Sequence, residues 1–258
     1  MKTQIIASIA TLFGLIVITP AIAASSNKNA GELISVSGGI AMPSFSTSIN
    51  SNPAGIVGVP GTNLIIQDGT NSQFSNHRLA AGLAYGNGSV GLEAGVGYAN
   101  PSGDITGFFG LGFGIPSIKT QIGFSGFMGL SPSSGVGING GLLIAPSDKM
   151  SFGVTAIGLN SGVNEWGAGV GFNISPNVGI AVDAAFSNNF NFLTVEPGLK
   201  VGTDQASLML AYGSGSGSSQ LVNNDIALGG AVKLGSRVHW ELYYNKFSTF
   251  FTSFAIQL

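Results

Sequence analysis

Runs of about ten residues with apolar side chains at every second position recur along most of this chain, and that period of two is the signature of a strand. Val178, Ile180, Val182, Ala184 and Phe186 take one face, and Gly179, Ala181, Asp183 and Ala185 take the other. Trp166, Ala168, Val170, Phe172 and Ile174 oppose Glu165, Gly167, Gly169, Gly171 and Asn173. Val238, Trp240, Leu242 and Tyr244 oppose Arg237, His239, Glu241 and Tyr243. A strand of about ten residues is twice the usual soluble length, and it is the length a tilted strand needs to cross a bilayer.

Turn residues separate the runs at even spacing: Gly86-Asn87-Gly88, Pro116-Ser117, Pro146-Ser147-Asp148, Ser175-Pro176-Asn177 and Gly235-Ser236 among them. None of these connections has room for a crossover helix, so neighbours pair antiparallel. The pattern predicts strands over 63–68, 77–86, 89–98, 105–115, 117–130, 135–145, 149–159, 164–174, 177–186, 191–202, 205–213, 225–234, 237–245 and 248–258. That is about 14 strands, or about 12 if the first pair is something else, and single-chain barrels favour even numbers. Alternate connections are tight, while those at 69–76 and 214–224 are long, the asymmetry expected between periplasmic turns and outer loops.

The second face decides between a sandwich and a membrane barrel. A soluble sandwich keeps a charged outer face. Here only 8% of residues are charged, and the face opposite the large apolar side chains is mostly Gly, Ala, Ser and Asn. An apolar outside over a small, weakly polar inside fits a closed antiparallel transmembrane β-barrel, all-β, whose closure satisfies the backbone in lipid. Glu93, Lys119, Glu165, Asp183, Glu196, Lys200, Lys233, Arg237, His239 and Glu241 are the expected lumen-facing polar residues. Trp166, Trp240, Tyr244, Tyr98 and Tyr212 are expected to face outward at headgroup level.

Lys2, the short apolar run Ile5 to Ile18, Pro20 and Ala21-Ile22-Ala23 have the layout of a secretory signal peptide, 1–23, cleaved after Ala23. The expected location is therefore the outer membrane of a Gram-negative cell. The chain divides into that leader, a segment 24–62, and the barrel 63–258. Nine Lys+Arg against eleven Asp+Glu leave no basic footprint, so no nucleic-acid partner is expected. No cysteine is present and only two histidines, which excludes thiolate sites and leaves no metal or cofactor to expect. Phe250, Thr252, Phe254, Ile256 and Leu258 share a face of the last strand. They resemble the C-terminal signal that the barrel-assembly machinery reads, with Leu258 where Phe is usual. The expected partners are thus outer-membrane lipid, that machinery, and a small hydrophobic ligand.

Glycines dominate the inner face at 91, 95 and 97, at 110, 112 and 114, and at 167, 169 and 171. They lie inside strands rather than at a strand-to-helix turn, so they are not phosphate loops. Two explanations remain: curvature with a lumen kept clear, or a lumen occupied by the chain's own N-terminal segment. That segment carries Asn52-Pro53-Ala54-Gly55 followed by Ile56. Taken alone the motif is a turn, Pro setting φ and Gly following. With the strand pattern, it resembles the FadL-like family of outer-membrane hydrophobic-compound transporters. The resemblance implies a 14-stranded barrel in which the N-terminal segment is a hatch. This chain is much shorter than usual members, and the loop-borne ligand residues of the family have no counterparts on it.

His239 and Glu241 share the inward face, but no serine stands in a nucleophile context, so no enzyme is expected. Pro197, followed by Gly198, falls inside a strand, where it removes a ladder donor. In a closed wall that predicts either a bulge or a lateral opening lined by Glu196 and Lys200. Two functions follow: passage of small apolar molecules across the outer membrane, or a structural surface barrel with an occupied lumen.

Overall fold

In the computed structural model of the chain, the described residues are 38–44, 48–71, 77–132, 135–203, 205–222, 225–245 and 249–258. The expected signal peptide 1–23, and residues 24–37 and 45–47 of the following segment, lie outside them.

One antiparallel sheet contains every strand. In chain order these are β1 (Gly61–Asn71), β2 (His77–Gly86), β3 (Val90–Asn100), β4 (Asp104–Ile115), β5 (Thr120–Ser131), β6 (Val136–Ser147), β7 (Met150–Ile157), β8 (Glu165–Ser175), β9 (Val178–Ser187), β10 (Phe192–Gly202), β11 (Ala206–Tyr212), β12 (Ser214–Gly215), β13 (Ile226–Leu234), β14 (Val238–Asn245) and β15 (Thr249–Gln257). Among these fifteen, β12 is a two-residue continuation of β11 along β10, so fourteen long strands form the wall. The first and last close it: Asn63 lies opposite Gln257 and Thr70 opposite Phe250. No edge remains, and the ladder satisfies the backbone without water. The first strand begins two residues earlier than the alternation suggests.

Tight turns gather at one end of the barrel, at 87–89, 116–119, 148–149, 176–177 and 235–237. The β2–β3 turn shows the chemistry. The Asn87 side chain accepts from Ser89 N at 3.0 Å and Val90 N at 2.8 Å, and Gly88 takes a φ of 81° that other residues avoid. The opposite end carries the longer connections, 158–164 and the segment between β11 and β13.

The alternation holds around the wall. From β3 to β15 no outward position in a described strand is charged. Val182 is 42% exposed and Leu208 71% exposed, whereas their neighbours Ala181 and Ser207 are buried, so the outer face is lipid-facing. Aromatic pairs stand near both rims. Trp166 stacks on Phe190 with centroids 5.5 Å apart, and Tyr244 lies 4.8 Å from Phe250 at the long-loop end. Trp240 stacks on Phe254 at 6.1 Å towards the tight-turn end, its indole N–H donating to Thr252 Oγ1 at 2.8 Å. Tyr98 and Tyr212 also face outward.

Candidate functional site: the barrel lumen

Residues 38–44 and 48–60 lie against the inner face of the wall. They include a short helix α1 (Ser48–Ser51) and a 3-10 turn over Pro53–Gly58. Ile40, Ala54, Ile56, Val57 and Val59 are buried as deeply as any side chain in the protein. In an antiparallel barrel whose outer face meets lipid, this is the apolar core.

Asn52 shows why the Asn-Pro-Ala-Gly motif needs its residues. Its Nδ2 donates to Ile40 O at 2.7 Å and to Leu142 O of the wall at 3.1 Å. Its Oδ1 accepts from Ala54 N at 3.1 Å and so caps the 3-10 turn that Pro53 begins. A buried amide with both ends satisfied fixes the segment to itself and to β6. Gly55 packs so closely on Pro43 that a Cβ there would approach Pro43 Cγ to 2.6 Å.

The wall offers this segment both room and partners. A Cβ on Gly153 would lie 1.9 Å from Ile40 O, one on Gly123 2.2 Å from Pro53 C, and one on Gly91 2.5 Å from Ile56 O. At these three glycines backbone meets backbone, and at Gly112 and Gly167 the wall instead receives the side chains of Val57 and Ile40. Asp183 accepts from Ile40 N at 3.1 Å and Ala41 N at 3.3 Å. Ser151 Oγ donates to Ala41 O at 2.7 Å, and Thr155 Oγ1 to Ser51 O at 3.0 Å.

Loop 216–222 comes down on the same segment from the long-loop end. Glu165, at the rim of β8, accepts from Ser219 Oγ, from Gln220 N at 3.0 Å and from Leu221 N at 3.2 Å. Leu221 and Val222 then pack on Ile40 and Ala185. Sequence reasoning missed this contact. Its one signal is the pair Leu221-Val222 in a stretch otherwise made of Ser, Gly, Gln and Asn.

The far side of the lumen differs. Ile65, Ala84, Met209, Ala211, Ala227, Ala231 and Ala255 form an apolar inner stripe across β1, β2, β11, β13 and β15, joined by Val59 and Tyr243. Water-filled barrels carry polar interiors. Here the buried polar side chains beside the stripe include Asn63, Ser207, His239, Glu241 and Ser253.

Eight of the ten expected lumen residues face inward: Glu93, Glu165, Asp183, Glu196, Lys200, Lys233, His239 and Glu241. Two do not. Lys119 takes a left-handed φ of 49° in the turn before β5, 3.7 Å from Asp148, and Arg237 lies exposed in the turn before β14. Both fall just beyond a strand end, where the alternation no longer sets direction. Asp183 and Glu196 sit directly opposite each other on β9 and β10. The described residues hold no cluster of three metal-ligating side chains.

The expected bulge at Pro197 is absent. The register with β9 runs unbroken through Pro197 opposite Val182, and the irregularity in β10 falls between Phe192 and Thr194. Pro197 acts on the other ladder. Gly198 pairs with Ala211, and the next pairs are Val195 with Ser214 and Thr194 with Gly215, leaving a gap at Glu196 and Pro197 without a change of register. Losing one donor opens the ladder there without inserting a residue.

No family model and no curated protein sequence matches the chain. Solved structures do. The CymD monoaromatic hydrocarbon channel aligns with a TM-score of 0.53 and 12% identity over 87% of this chain and 97% of its own. The Pseudomonas putida toluene transporter TodX aligns with a TM-score of 0.62 and 9% identity, over 92% and 99%. The Acinetobacter baumannii outer membrane protein Omp33 gives 0.52 and 12%, over 77% and 98%. The shared property is the fold. This chain's closed antiparallel barrel of fourteen long strands has the fold of these barrels. The first two are a channel and a transporter, neither of them an enzyme.

Proposed function

We propose that the protein passes small apolar molecules across the outer membrane of a Gram-negative cell, with residues 24–60, which end where β1 begins, as a plug inside the barrel. The observation that carries this reading is the apolar inner stripe of Ala, Met and Ile beside a segment packed on the inner face of the wall. A channel for ions or sugars gains nothing from an inner wall of alanines, which bind by apolar contact alone. The fold shared with a toluene transporter and a monoaromatic hydrocarbon channel supports the same class of cargo. Cleavage after Ala23 would release the chain outside the cytoplasm. The outward aromatic face of β15 suits recognition by the assembly machinery. The ladder gap at Glu196 and Pro197, next to Gly198 and with Lys200 on its inner side, is where cargo would leave the lumen for lipid.

Two measurements test this. Gram-negative cells expressing the protein should take up labelled toluene faster than cells without it. In planar bilayers, the full chain should be nearly silent, and a chain lacking 24–60 should conduct. A deletion that conducts no better than the full chain overturns the plug. Absence of both uptake and conductance leaves a structural surface barrel with an occupied lumen.

A further inference from the structure

Three adjacent strands carry an inward row that the plug covers without satisfying. Glu93 of β3 lies opposite Gly110 of β4, and Gly110 lies opposite Ser125 of β5. Glu93 is 5% exposed and Ser125 fully buried. Glu93 Oε2 and Ser125 Oγ have no hydrogen-bond partner. Between them Gly110 leaves a notch with no side chain, and the plug fills it: a Cβ on Gly110 would lie 2.3 Å from Ile56 Cδ1 and 3.6 Å from Ile49 Cδ1. An apolar methyl therefore sits in a space whose two walls are a carboxylate oxygen and a hydroxyl. Buried polar groups are nearly always paired, and an exception under a segment that is not part of the wall points to a ligand.

We propose that the notch over Gly110, walled by Glu93 and Ser125, is a subsite for an apolar molecule bearing one hydroxyl, a phenol or a small alcohol, and that Ile56 is its placeholder in the plugged state. This rests on the reading of the barrel as a channel for small apolar molecules. Chemistry selects the hydroxyl. A carboxyl oxygen accepts, and the protonated form also donates, as a serine hydroxyl does. A ligand hydroxyl can donate to Glu93 and accept from Ser125, which an ammonium group cannot do and a plain hydrocarbon does not attempt. The two walls stand two strand spacings apart, about 10 Å between Cα atoms. Both side chains lie on the inner face, and Gly110 between them carries none. The body of the ligand takes the apolar surroundings that Ile56 and Ile49 occupy. Binding and withdrawal of the plug are then one exchange, an alkyl group leaving as a ring or chain arrives.

The test is equilibrium dialysis of labelled phenol and labelled toluene against the full-length protein in nanodiscs, with empty nanodiscs subtracted. Phenol should bind about tenfold more tightly than toluene, the difference one net hydrogen bond makes. Ser125→Ala and Glu93→Gln should each remove most of that preference and leave toluene binding unchanged. Ser207→Ala, at an inward serine of β11 that also lacks a partner, is the control and should change neither. A phenol preference at or below unity in the unaltered protein overturns the subsite, whatever the variants do, and so does an equal loss in Ser207→Ala. Toluene uptake by cells with no phenol preference in dialysis sinks the subsite and leaves the channel standing. Failure of toluene to enter cells, with neither probe bound, sinks both.

Discussion

The carboxylate of Asp183, projecting inward from the middle of β9, accepts the backbone N–H of Ile40 at 3.1 Å. It also accepts from Ala41 N at 3.3 Å, so one wall residue holds two consecutive amides of the segment inside the lumen. Gly169 makes this possible, since a Cβ there would lie 1.8 Å from Asp183 Oδ1. Asp183→Ala leaves those two buried amides without an acceptor, at about 1–3 kcal/mol each. The cost falls on the segment and spares the ladder. The variant is expected to show raised conductance in planar bilayers with unchanged heat-modifiable migration on gels. A variant as silent as the parent would show that the segment is held elsewhere.

The inward glycines give a second lever on the same contact. Gly153→Ala puts a methyl group into Ile40 O, a backbone atom that cannot rotate away. Overpacking of this kind costs about 1–3 kcal/mol. Gly137→Ala meets nothing within 4 Å and is the matched control. Gly153→Ala should raise conductance as Asp183→Ala does, and Gly137→Ala should not. Equal behaviour of the two would mean that the segment does not bear on β7.

The long loop offers a test with a chemical readout, because the chain has no cysteine of its own. Leu221→Cys places a thiol under the loop, on Ile40. A membrane-impermeant maleimide should label it slowly in whole cells. Adding Glu165→Ala removes the acceptor for Ser219 Oγ, Gln220 N and Leu221 N together, and labelling should quicken by about tenfold or more, the effect of losing more than one net hydrogen bond. Unchanged labelling would show that Leu221 and Val222 hold the loop by apolar contact alone.

The wall was legible because each strand is buried by lipid on one side and by the lumen on the other, which forces a strict period of two from Val90 to Gln257. Strand ends were legible to within a few residues because Asn, Pro and Gly mark the turns. What lies inside was legible only as a question. Glycines on the inner face announce close approach without saying what approaches, and Asn52 reveals its three-way role only once Leu142 and Ile40 are beside it. Lys119 and Arg237 were misplaced for a single reason: parity carried one or two residues past a strand end loses its meaning. The inward loop at 216–222 escaped because two apolar residues in a polar stretch carry no period at all.

The lipid face can be checked by depth. Val182 and Val170 are paired on the outer face of β9 and β8. Arginine at either should cost about 2–4 kcal/mol of folding free energy, measured by urea titration in lipid, against little or nothing for Asn177→Arg in the tight turn. Arginine at inward Ala181 is a different experiment. Ala181 packs on Ala41 and Met42, so the substitution displaces the lumen segment and should show as conductance before it shows as unfolding. Equal costs at Val182 and Asn177 would contradict the assigned face.

Pro197 separates wall stability from passage. It faces outward opposite Val182, and the ladder towards β11 skips Glu196 and Pro197 while keeping its register. Because the register is already correct, Pro197→Val needs no rearrangement: it supplies the missing N–H and a residue that favours strands. The expected gain is about 0.5–1.5 kcal/mol, the net worth of one hydrogen bond, read as a higher urea midpoint in lipid. If cargo leaves the lumen through this gap, toluene uptake by cells should fall as the gap closes, although the protein is more stable and equally abundant. Stabilisation with uptake unchanged assigns Pro197 to the wall alone and moves the exit elsewhere.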